Sequence, residues 1–396
     1  MPRSNETVVK GMRKIIGVIC GLVTGGMLVA ALWPFEVAPK NEVGWLTDQN
    51  GLQFGDEGTI LSSGSFDVAK ANEASFCSLE IALQPARGDV DPSETILAFY
   101  VPDNPLQFRL TQRLDALVVR REYRDQRNRA ATEEFEIEHA FREDEPAFFT
   151  ITSSPQGTSG YMNGGFAESS RHFGLTCKDF SGQLVIGDSP VTYNPWAGKV
   201  SRVAIYGQGL TSEQAARHYA MWTKNLELDE SEKNSMLALY SFSERGGSIV
   251  HNSVGSGPAL HIPESFRVLH KRILTPPWKE FSPSVGYALD VLINVAGFMP
   301  FGFFVCAYLM GNRPWKRAAI ATVVAGGIIS VAIEILQAFI PVRSSGMTDI
   351  ITNTAGTALG VMLWKIPAVQ GVACKLGYRR EKLEAEDEAR GGAVGI

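Results

Sequence analysis

An aspartate and an asparagine stand four residues apart twice near the C-terminus, as Asp290 and Asn294 and again as Asp349 and Asn353. Both octets, 290–297 and 349–356, follow the pattern Asp-x3-Asn-x-Ala-Gly at the start of an apolar run. Four residues are about one helical turn, so each pair shares a helix face. Glu334 and Gln337, three apart at the end of another apolar run, share a face in the same way, and Arg343 follows just beyond. Polar groups of this kind are costly in hydrocarbon unless they find a partner or water. Three chemistries suit them. They could cap and bind helices to one another, with Asp at an N-cap and Asn bonding across an interface. They could line a polar pocket for a lipid headgroup, a glycan or a glycopeptide. They could also serve a membrane enzyme acting on a lipid-linked sugar or phospholipid headgroup, with Glu334 as acid/base and Arg343, otherwise a partner for Glu334 or an Asp, on a phosphate. Gly297, Gly302, Gly356 and Gly360 would let the helices that carry these groups approach closely.

The elements that must position them are membrane-length apolar runs. The first covers 15–33, and the others about 287–310, 318–340 and 350–364, the last short for a bilayer. Arg3, Lys10, Arg13 and Lys14 precede the first run, Arg313, Lys316 and Arg317 divide the second from the third, and Lys365, Lys375, Arg379, Arg380 and Lys382 follow the fourth. With four spans all three clusters fall on one side, which the positive-inside rule makes the cytoplasm. Residues 1–14 and 366–396 are then cytoplasmic, and the middle of the chain is outside. The two repeat helices run the same way, so Asp290, Asn294, Asp349 and Asn353 are expected near the outer leaflet, together with Glu334, Gln337 and Arg343.

Over 396 residues the apolar fraction is 45%, an ordinary soluble value that averages a polar middle with two apolar ends. The net charge of −5 leaves no basic patch for nucleic acid. No phosphate loop, dinucleotide fingerprint or serine-hydrolase elbow occurs. The six histidines show no metal-ligand spacing, and no cofactor is expected.

Residues 40–225 read as all-β. Short alternating runs at 78–83, 95–100, 148–151, 183–187 and 200–206 are separated by turn residues, as in a sandwich or jelly roll. Thr211-Ser212-Glu213-Gln214 then opens a short helix with a capping box. Residues 226–284 read as a small β-like extension, adding strands or making a platform, and a Pro-rich connector. Cys77 and Cys177 are the two cysteines of the outer segment, so they are a disulfide candidate or two buried thiols.

Two resemblances add to this reading. Gly182-Gln183-Leu184-Val185-Ile186-Gly187, then Pro195-Trp196-Ala197-Gly198-Lys199-Val200, Val203-Ala204-Ile205-Tyr206 and His218-Tyr219 resemble the end of a laminin-G-like, concanavalin A-like domain. The resemblance implies a lectin-type sandwich that binds glycans or proteins, sometimes through calcium, for which no ligand cluster is visible. Glu134, Glu136 and Glu138 share a strand face and are similar to the acidic strand of laminarinase-type glycoside hydrolases, with Glu in place of the middle Asp. A hairpin turning near Gln126 to Ala131 would instead pair them with Arg120, Arg121 and Arg124. Residues 286–365, with the repeat, Glu334-x2-Gln337, Arg343 and Gly360, resemble the VanZ-like family of small bacterial membrane proteins. That resemblance implies a bacterial inner-membrane location and a link to glycopeptide (teicoplanin) sensitivity, with no established reaction. The expectation is a multi-domain protein: an all-α four-helix transmembrane part, VanZ-like over 285–365, and an extracytoplasmic β-sandwich after the first helix. Its partners would be the bilayer and a glycan, lipid headgroup or glycopeptide.

Overall fold

The computed structural model describes residues 3–66, 75–124, 129–224, 226, 229–254 and 257–375. The expected turn near Gln126 and the tail beyond Lys375 lie outside them. The chain forms two compact units, one of residues 38–271 and one of residues 1–37 with 272–396.

The first unit holds two antiparallel sheets. Its strands are β1 (Val43–Trp45), β2 (Leu52–Phe54), β3 (Ile60–Phe66), β4 (Ser78–Pro85), β5 (Val90–Val101), β6 (Asn104–Leu114), β7 (Ala116–Arg124), β8 (Ala130–Ile137), β9 (Ala147–Ser154), β10 (Gly157–Met162), β11 (Gly165–Ser170), β12 (Gly182–Ile186), β13 (Gly198–Tyr206), β14 (Met236–Tyr240), β15 (Ile249–Val250) and β16 (Leu260–His261). One sheet has the order β1-β2-β13-β4-β9-β10-β11, with β14 also paired to β13; the other runs β15-β16-β3-β12-β5-β6-β7-β8. Alternation drives the packing: Leu79, Ile81 and Leu83 of β4 and Phe149 and Ile151 of β9 enter one buried core with Phe99, Phe108, Leu117 and Phe135 of the other sheet. Residues 236–261 therefore add strands to the sandwich. The ends of this unit pair with each other, Asn41 N–H donating to the Glu264 carbonyl and Phe266 N–H to that of Pro39.

Cys77 and Cys177 form a disulfide. On the β7–β8 hairpin Arg120 pairs with Glu134 at 2.6 Å. The other expected pairings differ. Arg121 takes Glu133 on the opposite face, Arg113 of β6 takes Glu136, and Glu138 lies exposed past the end of β8. The cause is the two-residue period, which sends neighbouring arginines to opposite faces. With Glu134 and Glu136 both neutralised by arginine, the strand shows no free acid pair of the glycosidase kind.

The second unit is helical: α1 (Arg3–Leu32), then, after α2 (Ser212–Thr223) and α3 (Glu230–Lys233) of the sandwich, α4 (Pro277–Glu280), α5 (Val285–Met310), α6 (Trp315–Gln337), α7 (Met347–Met362) and α8 (Pro367–Lys375). Three helices, α1 from Arg13 onward, α5 and α6, are long and apolar enough to cross a membrane. They make the chain a multi-pass membrane protein by length and composition. α6 stops at Gln337, three residues short of the expected end, and α7 has 16 residues, below spanning length without the 3-10 turn Leu363–Lys365 that follows.

Candidate functional site

Packing in the helical unit is set by small residues. α5 and α7 run in parallel, from the Asn294–Asp349 contact at one end to the stacked Phe303 and Trp364 rings at the other. Gly302 lies against the backbone of Thr357, Gly356 against that of Val295, and Gly360 against that of Met299. Gly297 departs from the expectation of a packing glycine: nothing lies within 4 Å of the position its Cβ would take. α6 meets α7 in a ladder of four-residue steps. Gly326 faces Thr357, the Ser330 hydroxyl accepts from Asn353 Nδ2 at 2.9 Å, and Glu334 reaches Gly346.

This brings part of the predicted set to one place, the N-terminus of α7. The N-cap residue there is Gly346, which has no side chain with which to cap. Three consecutive backbone donors are met from elsewhere. Gly346 N–H donates to Glu334 Oε2 at 2.7 Å, Met347 N–H to the Thr275 carbonyl at 2.9 Å, and Thr348 N–H to Glu280 Oε2 at 3.0 Å. Asn294 Nδ2 donates to Asp349 Oδ1 at 2.7 Å, so the two copies of the repeat are joined crosswise. Glu334 is 1% exposed and Asn353 4%. The Asn353 side-chain amide oxygen, Oδ1, is buried without a hydrogen-bond partner among the described residues. Asp290, one turn before Asn294, is exposed.

Gln337 and Arg343 go elsewhere. Gln337 Nε2 donates to the Ala31 carbonyl at 2.8 Å, and Arg343 donates to the carbonyls of Trp33 at 2.8 Å and Ala30 at 3.2 Å. The expected pairing of Arg343 with Glu334 or an Asp is thus replaced by capping of α1. The four terminal carbonyls of a helix lack intrahelical donors, and a cation at that end is favourable. Glu280, Ser330 and Thr348 were missed. Ser330 stands four residues before Glu334, a spacing that places it on the same helix face, whereas Thr348 has no such relation to a candidate residue. Glu280, alone in a Pro-rich stretch, gives no such signal.

The sandwich has a second polar cluster, buried beneath α2. Thr211 and Gln214 form the capping box that starts this helix. His218 Nδ1 lies 2.8 Å from Glu80 Oε1, and its Nε2 lies 3.2 Å from Glu232 Oε1. The Tyr206 hydroxyl donates to Glu80 Oε2 at 2.7 Å. Burial pulls the His218 pKa down, but the hydrogen bonds and charges of Glu80 and Glu232 outweigh it and hold the imidazole above its usual range. Asp188, with one oxygen accepting from Asn194 N–H and the other unpartnered among the described residues, has its pKa pushed by burial to about 8. Both groups keep a proton in the folded state that the unfolded chain releases, Asp188 between its ordinary 3.8 and about 8, His218 upward from 6.5. Their contributions are complete below the unfolded pKa values and are lost as pH rises through the folded ones. The sandwich is therefore expected to melt at a lower temperature at about pH 8.5 than at about pH 5.5, and Asp188→Asn to flatten that slope. A melting temperature that rises with pH in scanning calorimetry would contradict this. Among the described residues no group of three or more His, Cys, Asp or Glu side chains is arranged to hold a metal ion.

Comparison with known proteins gives two kinds of likeness. The sequence model of the VanZ/LLP1 family matches residues 236–368. No curated protein matches the chain. Among solved structures, the chain is similar to a candidate carbohydrate-binding protein from Bacteroides ovatus, at 14% identity and a TM-score of 0.38, covering 56% of this chain and 62% of that one. It is also similar to a SAP-like pentraxin from Limulus polyphemus, at 12% identity and a TM-score of 0.36, covering 57% and 94%. A third is the CBM40 of a Ruminococcus gnavus sialidase bound to α2,3-sialyllactose, at 12% identity and a TM-score of 0.32, covering 43% and 97%.

Proposed function

We propose that the chain is a non-catalytic envelope protein of the VanZ-like type, whose helical unit binds a polar headgroup at the N-terminus of α7. The observation that carries this is the buried side-chain amide oxygen of Asn353, which has no partner among the described residues, one turn below Asp349. An asparagine serving only to join helices would have both ends of its amide satisfied. At the start of α7, the carboxyls of Glu280, Glu334 and Asp349 accept hydrogen bonds from Thr348, Gly346 and Asn294. The matching ligand carries N–H or O–H donors, as in an amino- or hydroxyl-bearing lipid headgroup, a glycan or the sugar part of a glycopeptide.

An enzyme acting on a lipid-linked phosphate is less well supported. A helix N-terminus is a good anion site, but the donors of 346, 347 and 348 already have acceptors from the protein itself. Arg343 is engaged with the end of α1.

In the same reading α7 and its 3-10 extension form a fourth span, both termini are cytoplasmic in a bacterial inner membrane, and the sandwich, a concanavalin A-like jelly roll, lies outside and engages envelope glycan. Arg13, bonded to Asn312, and Lys365, over the Trp315 ring, gather at the α5–α6 turn, as positive-inside placement requires. The Cys77–Cys177 disulfide fits an oxidising compartment. Effects on cell-wall or exopolysaccharide processes, or on glycopeptide sensitivity, would follow from occupancy of either unit.

Glu334→Gln tests the headgroup site. The amide oxygen can still accept from Gly346 N–H, so purified yield and melting temperature should change little, within about 1 kcal/mol. Lipid and glycan recovered with the protein should fall at least fivefold. A loss of yield with no change in recovered ligand would reduce Glu334 to a helix cap.

A further inference from the structure

We propose that the helix-side face of the β9–β10 ribbon carries a groove for a neutral oligosaccharide. The inference rests on the reading of the sandwich as a glycan-engaging unit and gives it a location. Register fixes the lining. Ser159 pairs with Thr152 and Tyr161 with Thr150, so their side chains rise on the face that also carries Glu80 and Tyr206, away from the core. Nearer α2 that face is closed by Leu210, whose N–H donates to Thr152 Oγ1 and whose carbonyl accepts from it. Beyond this closure the face opens into a cleft of about 290 Å³ between β9, β10 and the start of α2, and a second of about 220 Å³ continues it toward β11, sharing Ser154 and Ser159.

Two observations point to a ligand. Tyr161 lines the first cleft, and its hydroxyl makes no hydrogen bond among the described residues and is open to solvent, free to bond a ligand. Across the hairpin from it stands Phe166, 64% exposed, its ring edge to face with that of Tyr161, with centroids 6.0 Å apart and an interplanar angle of 81°. An exposed aromatic beside hydroxyls presents one apolar face and several groups that both donate and accept. That is the complement of a pyranose ring, which has an apolar face and hydroxyls at its rim. No acidic or basic side chain lines the first cleft, and Arg171 alone does so in the second, so a strongly charged polymer has little to pair with.

The test uses the full chain in detergent against immobilised cello-, malto-, manno- and chitohexaose. At least one of these is expected to bind. Tyr161→Phe, which removes only the hydroxyl, is expected to weaken that binding about five- to tenfold, and Phe166→Ala at least as much, with unchanged melting. Ser159→Ala should add a smaller loss. Binding that survives both aromatic variants overturns the groove while leaving the sandwich a glycan binder elsewhere. No binding by the wild type to any of the four overturns the groove and the glycan role of the sandwich together, and leaves the helical site untouched.

Discussion

Gly356→Ala is expected to cost the helical unit on the order of 3 kcal/mol and to remove most of the folded protein from the membrane fraction. The Cβ it adds would fall on the carbonyl of Val295, and the next nearest atoms, Val295 C and Cα, are both 2.9 Å away. These are backbone atoms of a packed helix, so no side chain can swing aside, and α5 and α7 must separate. Gly302→Ala and Gly360→Ala meet the backbone of Thr357 and of Met299 in the same way. Gly297→Ala is the matched control. With nothing within 4 Å it should be neutral, or stabilising by up to about 1 kcal/mol through helix propensity. Melting in detergent, followed by size-exclusion profile, separates the cases. Equal stability of the Gly356 and Gly297 variants would mean that α5 and α7 do not touch as described.

Replacing Cys77 and Cys177 together by alanine should cost the sandwich about 4 kcal/mol. The bond joins residues separated by 100 positions, and closing a loop of that length removes roughly 4.7 kcal/mol of chain entropy from the unfolded state in the simplest model. Both cysteines are fully buried, so the variant also leaves a small void. Thermal unfolding with and without a reductant reads the effect. A wild-type melting temperature that does not move on reduction, with loss of the bond verified by thiol titration, would contradict it.

The sequence made legible what depends on local pattern. Apolar runs placed α1, α5 and α6, and the capping box at Thr211 began α2. Alternation marked segments of β4, β5, β9, β12 and β13. Gly302, Gly356 and Gly360, chosen as small residues in apolar runs, lie at backbone contacts, and the Asp-Asn repeat falls on the two parallel helices. What stayed hidden depends on reach and on long-range partners. Gln337 at the end of α6 and Arg343 in the loop beyond it have side chains long enough to reach the open carbonyls at the end of α1, a partner remote in sequence. Glu280 caps α7 across 68 residues of sequence. β13 sits between β2 and β4 through pairings that no neighbouring residue announces. The Tyr161 groove has no sequence signature, because Gly157–Met162 looks like any short hairpin strand until the register aligns it with β9.

The site at α7 is tested most directly by native mass spectrometry of the intact wild-type protein released from gentle detergent. A bound species of defined mass, one per chain, retained by the wild type and lost from Glu334→Gln and Asn353→Leu while both variants stay folded, is the expected result. A wild-type protein that emerges bare, or an adduct retained equally by both variants, would show that Glu280, Glu334, Asp349 and Asn353 only fasten helices together.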